Sequence, residues 1–335
     1  MKQFRIAMIG CGGVSKMHFD GYVNHPDRLH IVAACDLDSA RVQQAKETYG
    51  FDQAFTSLEE MIDGADWEVG VVCTPTPVRL PVIKTLAAAG KHILVEKPFA
   101  DTYEEAAEMV QICEDAGVNL AVDQNFRYHF PYRQARELIE AGQIGKVVNL
   151  IHQDLMFRQD QGWRTQTKRH AMSVMGVHWL DGFRLLLQDE PKSIVCVTQS
   201  SPAIDCAGET EAFTQIVFEK GAVVSYTESF STPRRRAETV VVGEQGTLVL
   251  DYDGIDLFTK EDRNSAKEHW ENPYRGPAKP ESAFACLNEL LTALEEDREP
   301  SNSGKDNLKT IQLLDAAYRS ADEGRAILFR EEVPA

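Results

Sequence analysis

The chain has 335 residues, and at roughly 150 residues per domain this length predicts about two domains. A composition of 43% hydrophobic and 26% charged residues is that of an ordinary globular protein and excludes a disordered tail or a disulfide mini-scaffold. The formal net charge of −17 repels polyphosphate, so a nucleic acid partner is not expected. Neither a bilayer-spanning apolar run nor a signal peptide is evident. We therefore expect a cytoplasmic protein that binds a small molecule and no membrane.

Short apolar runs alternate with longer amphipathic stretches over about the first 120 residues. This pattern predicts an α/β domain, a Rossmann doubly wound parallel sheet over residues 1–123, in which ligands bind beyond the carboxyl ends of the strands. The predicted strands are Phe4–Ile9, His30–Cys35, Val69–Cys73, His92–Val95 and Val118–Val122, and the predicted helices are Val14–Val23, Ser39–Tyr49, Leu58–Ile62, Val78–Ala89 and Tyr103–Ala116.

The pattern changes after residue 123. Long alternating runs predict a second, α+β domain over residues 124–335, with a mostly antiparallel open sheet that has one face covered by helices. The last helix of this domain is able to pack back toward the first domain. The uncovered face predicts a homodimer or homotetramer. Helices are predicted at Tyr132–Ala141, Val177–Leu187, Ser282–Glu296 and Asp306–Ser320, strands at Val147–Met156, Ser193–Ser200, Ala212–Glu219, Val223–Phe230, Glu238–Val242, Thr247–Tyr252 and Ile255–Thr259, and a surface loop at Thr259–Glu281.

The seven cysteines are odd in number and form no C-x-x-C pair. Most lie within apolar runs, so we interpret them as small buried hydrophobic residues. The sequence predicts no metal site.

A glycine-rich segment, Gly10-Cys11-Gly12-Gly13-Val14-Ser15, follows the first predicted strand and opens the first helix. Gly10 allows a tight turn, and Gly12 lets the backbone approach a pyrophosphate at the helix N-terminus. The third glycine position of the usual fingerprint is occupied by Ser15, which is also small. The segment therefore predicts a dinucleotide site.

Asp36 ends the second predicted strand. A carboxylate at this place accepts hydrogen bonds from the adenosine ribose hydroxyls and repels a 2′-phosphate, which favours NAD over NADP. Arg41 is the nearby cation that leaves NADP possible. The alternative is that Asp36 only caps the helix that begins at Ser39.

Glu96-Lys97-Pro98 stands at the end of the predicted strand His92–Val95. A lysine here would face the nicotinamide end of the cleft and stabilise a substrate oxygen as charge develops. Together with the glycine segment, Thr74-Pro75 and Asn125-x-Arg127, this arrangement resembles the Gfo/Idh/MocA family of glucose-fructose oxidoreductases, inositol dehydrogenases and related sugar dehydrogenases. The resemblance extends over nearly the whole chain.

The resemblance implies a set of cofactor contacts. The phosphates and ribose would meet the glycine segment and Asp36, the nicotinamide half would lie between Thr74 and Pro75, and Glu96 would touch the nicotinamide ribose. Lys97 would serve both cofactor and substrate, and the Lys97–Pro98 bond resembles one that is often cis in the family. Asn125 would lie near the substrate. The implied cofactor-binding residues are Gly10, Gly12, Gly13, Val14, Asp36, Thr74, Pro75, Glu96 and Lys97, and the chain departs from the family pattern with Thr76 in place of Asn and Arg79 in place of His.

The segment Gly176–Asp181 resembles the family's helix with the active-site histidine, here His178. A neutral imidazole can accept an alcohol proton while hydride leaves the same carbon. Val174 stands where the family has an aspartate, one helical turn earlier. Asp181 is an alternative group to orient His178, or a structural residue, and His178 itself could instead be a hydrogen-bonded core histidine.

Trp163-Arg164 resembles the family's pocket-lining pair, a flat face for a sugar ring followed by a fork for hydroxyls or a carboxylate. The basic residues that follow, Lys168 and Arg169, would accept an acidic group or belong to a solvated loop. The run Arg234–Arg236 is interpreted as solvated surface.

The sequence thus predicts an NAD(P)-dependent oxidoreductase with Lys97 and His178 as catalytic residues, acting on a secondary alcohol or ketone of a sugar, cyclitol or sugar acid. Two alternatives stay open. One is a sensor or regulator that binds cofactor and sugar without turnover, which Val174 favours. The other is a glycosidase or lyase that uses tightly bound NAD transiently.

Overall fold

The computed structural model describes residues 2–261, 264–274 and 279–329. The chain forms two compact units, Met1–Asn125 with Ala278–Ile311, and Phe126–Pro277 with Gln312–Ala335. The sequence placed Ala278–Ile311 in the second domain, whereas its helix packs in the first unit. There, Arg28 binds Asn288, and Asn302 donates to the Val122 carbonyl. The functional meaning of this division stays a prediction.

The first unit contains the predicted parallel sheet, with strand order β3-β2-β1-β4-β5-β6. Its central strands are apolar on both faces, and all residues of Val69–Val72 are buried, as expected for a sheet covered by helices on both sides. The short strand Gln53–Phe55 was not predicted. The elements are β1 (Phe4–Ile9), α1 (Ser15–Tyr22), β2 (Leu29–Cys35), α2 (Ser39–Tyr49), β3 (Gln53–Phe55), α3 (Leu58–Gly64), β4 (Val69–Val72), α4 (Arg79–Ala88), β5 (His92–Val95), α5 (Tyr103–Asp115) and β6 (Leu120–Val122).

The second unit is built on a nine-stranded sheet with the order β14-β13-β12-β11-β7-β10-β9-β8-β15. Among the described strands of this second sheet, β7 and β10 pair in parallel and every other pair is antiparallel. Alternate residues face the helices and are buried. The elements are α6 (Phe130–Glu140), β7 (Val147–Phe157), α7 (Val177–Leu187), β8 (Pro191–Gln199), β9 (Glu211–Phe218), β10 (Val223–Ser229), β11 (Ser231–Gly243), β12 (Gly246–Leu250), β13 (Gly254–Thr259), β14 (Glu268–Glu271), α8 (Lys279–Glu295) of the first unit, α9 (Gly304–Glu323), which contains the boundary between the units, and β15 (Ile327–Leu328).

The predicted surface loop Thr259–Glu281 is only partly a loop. Residues 268–271 form β14 on the edge of the sheet, and α8 begins at Lys279. Residues 262, 263 and 275–278 of this segment lie outside the described residues. The strands β3, β14 and β15 were missed because β3 and β14 contain few apolar residues and β15 has only two residues, so none of them gives a strand pattern.

Two further expectations concern cysteine and the membrane. All seven cysteines, each in the described part of the chain, are free, and five are buried, which confirms their interpretation as small core residues. Within the described residues, no helix combines the length and the apolarity that a membrane span requires.

Candidate active site

The glycine segment after β1 has the conformation that a dinucleotide loop needs. Gly10 has φ +94°, and a Cβ there would come within 3.1 Å of the Cys73 carbonyl carbon, so only glycine fits. A Cβ on Gly12 or Gly13 would meet no described atom within 4 Å. Helix α1 begins after Val14, and its first turn has neither a capping nor an acidic side chain among the described residues. The loop therefore leaves room and N–H donors for a pyrophosphate.

Asp36 follows β2 and is held next to this loop. Its Oδ2 accepts from the Cys11 amide at 2.7 Å and its Oδ1 from the Asp38 amide at 2.9 Å. The alternative role of Asp36 as the cap of α2 is wrong, because Asp38 caps that helix through Ala40 and Arg41. The Arg41 side chain lies 3.3 Å from Asp38. Contact between Asp36 and a ribose stays a prediction.

Three candidate residues follow three neighbouring strands of the parallel sheet. Gly10 follows β1, Thr74 follows β4, and Lys97 follows β5, and these strands pair in the order β1-β4-β5. Because the strands are parallel, the three residues share the carboxyl edge of the sheet. Lys97 is half-buried, Pro75 is exposed, and the Lys97–Pro98 bond is cis, as the resemblance implied.

Glu96 turns away from that edge and into the interior of the unit. Its Oε1 lies 2.7 Å from His18 Nε2, and its Oε2 accepts from the Lys97 amide at 3.2 Å. His18 Nε2 also lies 3.8 Å from Asp123 Oδ2, and His18 Nδ1 lies 2.8 Å from the Tyr22 hydroxyl. The Glu96 carboxylate thus binds the Lys97 amide from the interior of the unit. Contact between Glu96 and a nicotinamide ribose stays a prediction.

The cluster of His18, Glu96 and Asp123 is fully buried and carries charge. Burial opposes a charged imidazole, yet the Cys73 thiol, the Tyr22 hydroxyl and the Asp123 carboxyl around it hold the pKa of His18 well above its usual value. Burial alone would raise the pKa of Glu96, but the hydrogen bond and charge of His18 lower it. Burial raises the pKa of Asp123 to about 7. Ligand atoms of the three residues lie within 4.8 Å of one another. The direct His18–Glu96 contact accounts for this cluster as an ion pair, and the expected absence of a metal stays a prediction.

His178 lies in the first turn of α7 in the second unit. The residue is 4% exposed, and its ring stacks on Phe126 with the ring centroids 3.9 Å apart. A π-helical turn, Met172–Gly176, precedes α7. Val174 within this turn is half-buried and packs against an apolar cluster that includes Met156. At the position where the family has an aspartate, this chain therefore presents an apolar contact.

The sequence did not predict two buried carboxyl groups, Asp154 and Glu228, which are register partners. Asp154 accepts from the indole N–H of Trp179, the residue after His178, at 2.8 Å. Glu228 is its direct register partner on β10 and accepts from the Tyr226 hydroxyl. Both are fully buried, and Asp154 Oδ1 and Glu228 Oε1 have no hydrogen-bond partner among the described residues. Burial raises the pKa of Asp154 to about 6 and that of Glu228 well above its usual value.

Glu209 anchors the segment that leads into α7. Its carboxylate accepts from the amides of His170 at 2.8 Å and Met172 at 2.9 Å and from the Tyr318 hydroxyl at 2.7 Å. A carboxylate on the first N–H groups of a helical segment satisfies donors that would otherwise lack partners. Glu209 therefore fixes the turn that carries Val174. The sequence signal for Asp154 and Glu228 was their place at inward positions of β7 and β10, since such positions are normally apolar.

Asp181 and Asn125 have partners within their own units. Asp181 forms a two-pronged ion pair with Arg127, both contacts at 2.6 Å, which fits the structural alternative better than a role in orienting His178. The Asn125 amide donates to the Ser282 hydroxyl at 3.2 Å. Their predicted contacts with substrate stay predictions.

The basic residues predicted to line the substrate pocket divide into two groups. Arg164 lies over the Trp163 ring, which is 40% exposed. Arg169 instead binds Asp315 at 2.7 Å and lies over an aromatic ring of α9. The predicted contact of Lys168 with an acidic substrate group stays a prediction, whereas the Arg169 side chain is engaged by Asp315 within its own unit. The run Arg234–Arg236 is exposed, which confirms its interpretation as surface.

Comparisons with known proteins agree with this arrangement. The model of the GFO_IDH_MocA family, described as an oxidoreductase family with an NAD-binding Rossmann fold, matches residues 4–124. The GFO/IDH/MocA C-terminal domain matches residues 132–249.

Individual relatives cover almost the entire chain. D-apiose dehydrogenase of Paraburkholderia graminis is 29% identical over 98% of this chain and 90% of its own length, and D-apiose dehydrogenase of Rhizobium rhizogenes is 27% identical over 98% of both. A solved structure of an oxidoreductase from Agrobacterium radiobacter, in complex with NAD+, L-tartaric acid and magnesium, superposes with a TM-score of 0.88 at 24% identity, over 98% of each chain.

Proposed function

The chain belongs to the Gfo/Idh/MocA family of NAD-binding oxidoreductases, and we propose that it transfers hydride between NAD and a secondary alcohol or ketone of a sugar, cyclitol or sugar acid. The observation that carries this proposal is the order in which three candidate residues lie along the carboxyl edge of one parallel sheet. Gly10, Thr74 and Lys97 follow the neighbouring strands β1, β4 and β5. This order offers a phosphate loop at one end and an ammonium group at the other.

The cofactor would be held by residues of the first unit. The open backbone at Gly12 and Gly13 fits the pyrophosphate, and Asp36 would accept the adenosine ribose hydroxyls. Thr74 and Pro75 would flank the nicotinamide half. When bound, NAD supplies an acceptor for hydride at the nicotinamide C4.

Lys97 and His178 are the proposed catalytic residues. In the oxidative direction His178 takes the proton of the substrate hydroxyl, and the Lys97 ammonium donates a hydrogen bond to the same oxygen as its charge develops. The electron pair of the C–H bond leaves the carbon as hydride, so the alcohol becomes a ketone. In the reductive direction His178 returns the proton to the oxygen.

The substrate class is proposed from the relatives and from the chain's own departures. The relatives named D-apiose dehydrogenase favour a sugar. With Val174 in place of a carboxylate, the pocket lacks one negative charge, and Arg164 and Lys168 would suit a sugar acid. We propose that sugar acids outperform neutral sugars and that Val174→Asp shifts activity toward neutral polyols. An unchanged ranking led by neutral sugars would contradict this proposal.

Two properties of the whole molecule complete the proposal. The outer face of the second sheet exposes Ile151, Val197 and Phe213, and burying such a patch against a second copy would give the homodimer or homotetramer. Light scattering should show a monomer for Phe213→Lys if this face is the interface. The free cysteines suit a reducing compartment such as the cytoplasm.

The decisive experiment follows absorbance of reduced nicotinamide with a panel of D-apiose, inositols, hexoses and sugar acids. Net accumulation supports the dehydrogenase, product without net reduction supports the glycosidase or lyase, and tight binding without product supports the sensor. Lys97→Ala should lower turnover by roughly a hundredfold or more while the protein stays folded. Near-normal turnover in that variant would defeat the assignment of Lys97.

Cofactor choice is tested separately. The dissociation constant should be lower for NAD than for NADP, and Asp36→Ser should narrow or reverse that preference. A wild-type preference for NADP would contradict the role of Asp36 and point to Arg41.

A further inference from the structure

Arg79 is a buried cation at the catalytic edge of the first unit, and the proposed reaction leaves it without a role. It is the first residue of α4, it stands where the family has a histidine, and its exposed fraction is only 4%. A buried arginine is costly unless its donors are satisfied, so the groups it binds are informative.

Three backbone carbonyl oxygens accept hydrogen bonds from the Arg79 guanidinium. Nε and Nη2 donate to the Thr74 carbonyl at 3.0 and 2.9 Å, and Nη1 donates to the carbonyls of Glu96 and Pro98. The last two flank Lys97 directly. The guanidinium thus joins the loop after β4 to the loop after β5.

These carbonyls lie beyond the end of the sheet ladder. The Glu96 amide still donates to the Val72 carbonyl at 3.0 Å, but the carbonyls that follow point past the last register pair, Val72 and Val95. A planar guanidinium offers five N–H donors in a fixed fork and can bind these three carbonyls at once, whereas a lysine offers three donors and a histidine at most two. The Glu96 carboxylate holds the Lys97 amide from the interior side, so the Lys97 backbone is bound on both of its flanks.

We propose that Arg79 is a positioning residue that fixes the backbone of Lys97 and thereby the place of its ammonium group. The inference rests on the proposed function, since it takes Lys97 as the group that acts on the substrate oxygen. An error of about 1 Å in the place of a catalytic group can lower turnover about a hundredfold. Arg79 contributes through Lys97 and not by contact with substrate.

The first test is a double-mutant cycle on turnover. Arg79→Gln should lower kcat by about tenfold to a hundredfold, and Arg79→Lys should lower it less because lysine keeps the positive charge and three N–H donors. In the Lys97→Ala background, Arg79→Gln should lower kcat by less than about twofold, because the group that it positions is already absent. Equal fold losses in both backgrounds would overturn the proposal.

The second test does not depend on activity. Amide hydrogen exchange, read by mass spectrometry on the cofactor-free protein, should be faster in the peptide spanning residues 95–100 of Arg79→Gln and, to a smaller degree, of Arg79→Lys. Unchanged exchange there would overturn the proposal. If Arg79→Gln does not fold, Arg79→Lys decides both tests.

The matched control is Arg28→Gln. Arg28 is equally buried in the same unit and binds the Lys2 carbonyl at 3.1 Å and Glu295 at 2.9 Å, but it precedes β2 at the opposite edge of the sheet. Its loss should lower the melting temperature without changing kcat or the exchange of residues 95–100. If both arginine variants lower kcat equally, the effect of Arg79 is general destabilisation and the proposal fails. If Lys97→Ala keeps normal turnover, the proposed function fails instead, and the exchange measurement alone decides the role of Arg79.

Discussion

The first unit buries His18 against a carboxylate, whereas the second unit buries His152 with a hydroxyl group as its side-chain partner. His18 contacts Glu96 at 2.7 Å, and the cluster carries charge. His152 Nδ1 lies 2.8 Å from the Thr239 hydroxyl, and burial lowers the pKa of His152 to about 3. Both imidazoles are almost fully buried, so burial alone does not decide their charge.

The difference shows that a buried group keeps its charge only when an opposite charge or several hydrogen bonds compensate for the loss of water. Glu96 has His18 and the Lys97 amide as such partners. Asp154 and Glu228 are register partners on β7 and β10; burial raises the pKa of both, and the charge of Asp154 raises that of Glu228 further. The His18–Glu96 pair can therefore stay charged beside Lys97, whereas burial shifts Asp154 and Glu228 toward their protonated forms.

The largest effect is expected from removing the cation of the first cluster. His18→Leu leaves the carboxyl groups of Glu96 and Asp123 buried together, so the free energy of unfolding should fall by about 3–5 kcal/mol. The matched change His152→Leu removes a neutral ring and one hydrogen bond and should cost about 1–2 kcal/mol. Urea unfolding at pH 7 measures both. Equal losses would contradict the difference in charge between the clusters.

A smaller effect is expected in the pH dependence of stability that Asp154 in the second unit causes. The pKa of Asp154 is about 6 in the folded chain, above its unfolded value of about 3.9. The folded state therefore binds more protons between these values, and the stabilisation present below pH 4 is lost as the pH rises through 6. Asp154→Asn lacks this loss, so its stability relative to the wild type should improve by roughly 2–3 kcal/mol from pH 4 to 7.

Asp160→Asn is the control, because the pKa shift of Asp160 has the opposite sign. Against the effect of burial, hydrogen bonds from His170 and Arg158 hold the pKa of Asp160 below its usual value. Its contribution is already almost fully present above the unfolded pKa of about 3.9 and is lost only at lower pH, so the stability of Asp160→Asn relative to the wild type should change little from pH 4 to 7. Parallel curves for the two variants, from urea titrations at pH 4, 5, 6 and 7, would refute the assigned shifts.

The smallest effect is expected for Glu228→Gln. Because the pKa of Glu228 is well above its usual value, the carboxyl is expected to be protonated at neutral pH, and an amide of the same shape can still accept from Tyr226. The change should alter the free energy of unfolding by less than about 1 kcal/mol. Glu96→Gln removes a charge that faces His18 and should cost several times more. Thermal unfolding of both variants at pH 7 tests this ordering, and comparable losses would show that Glu228 is ionised.

Local pattern was enough to predict much of the fold and part of the site. The strands β1 and β5 were predicted with the bounds that the structure has, because apolar β-branched runs and their glycine stops are properties of neighbouring residues. Gly10, Asp36 and Lys97 were found because each follows a strand, and parallel strands bring such residues to one edge. The catalytic roles of Lys97 and His178 stay predictions.

The sequence by itself determined the two classes of sheet, the glycine-rich loop after β1 and the place of Lys97 after β5, since all of these depend on residues adjacent in the chain. The tertiary structure decided which side chains share a buried site. His18 meets Glu96 across 78 positions, Asp154 meets Glu228 through strand register, and Arg79 binds carbonyls 17 and 19 positions away. Charge state and backbone support depend on such distant partners, because burial removes water and leaves only the neighbours that the fold supplies.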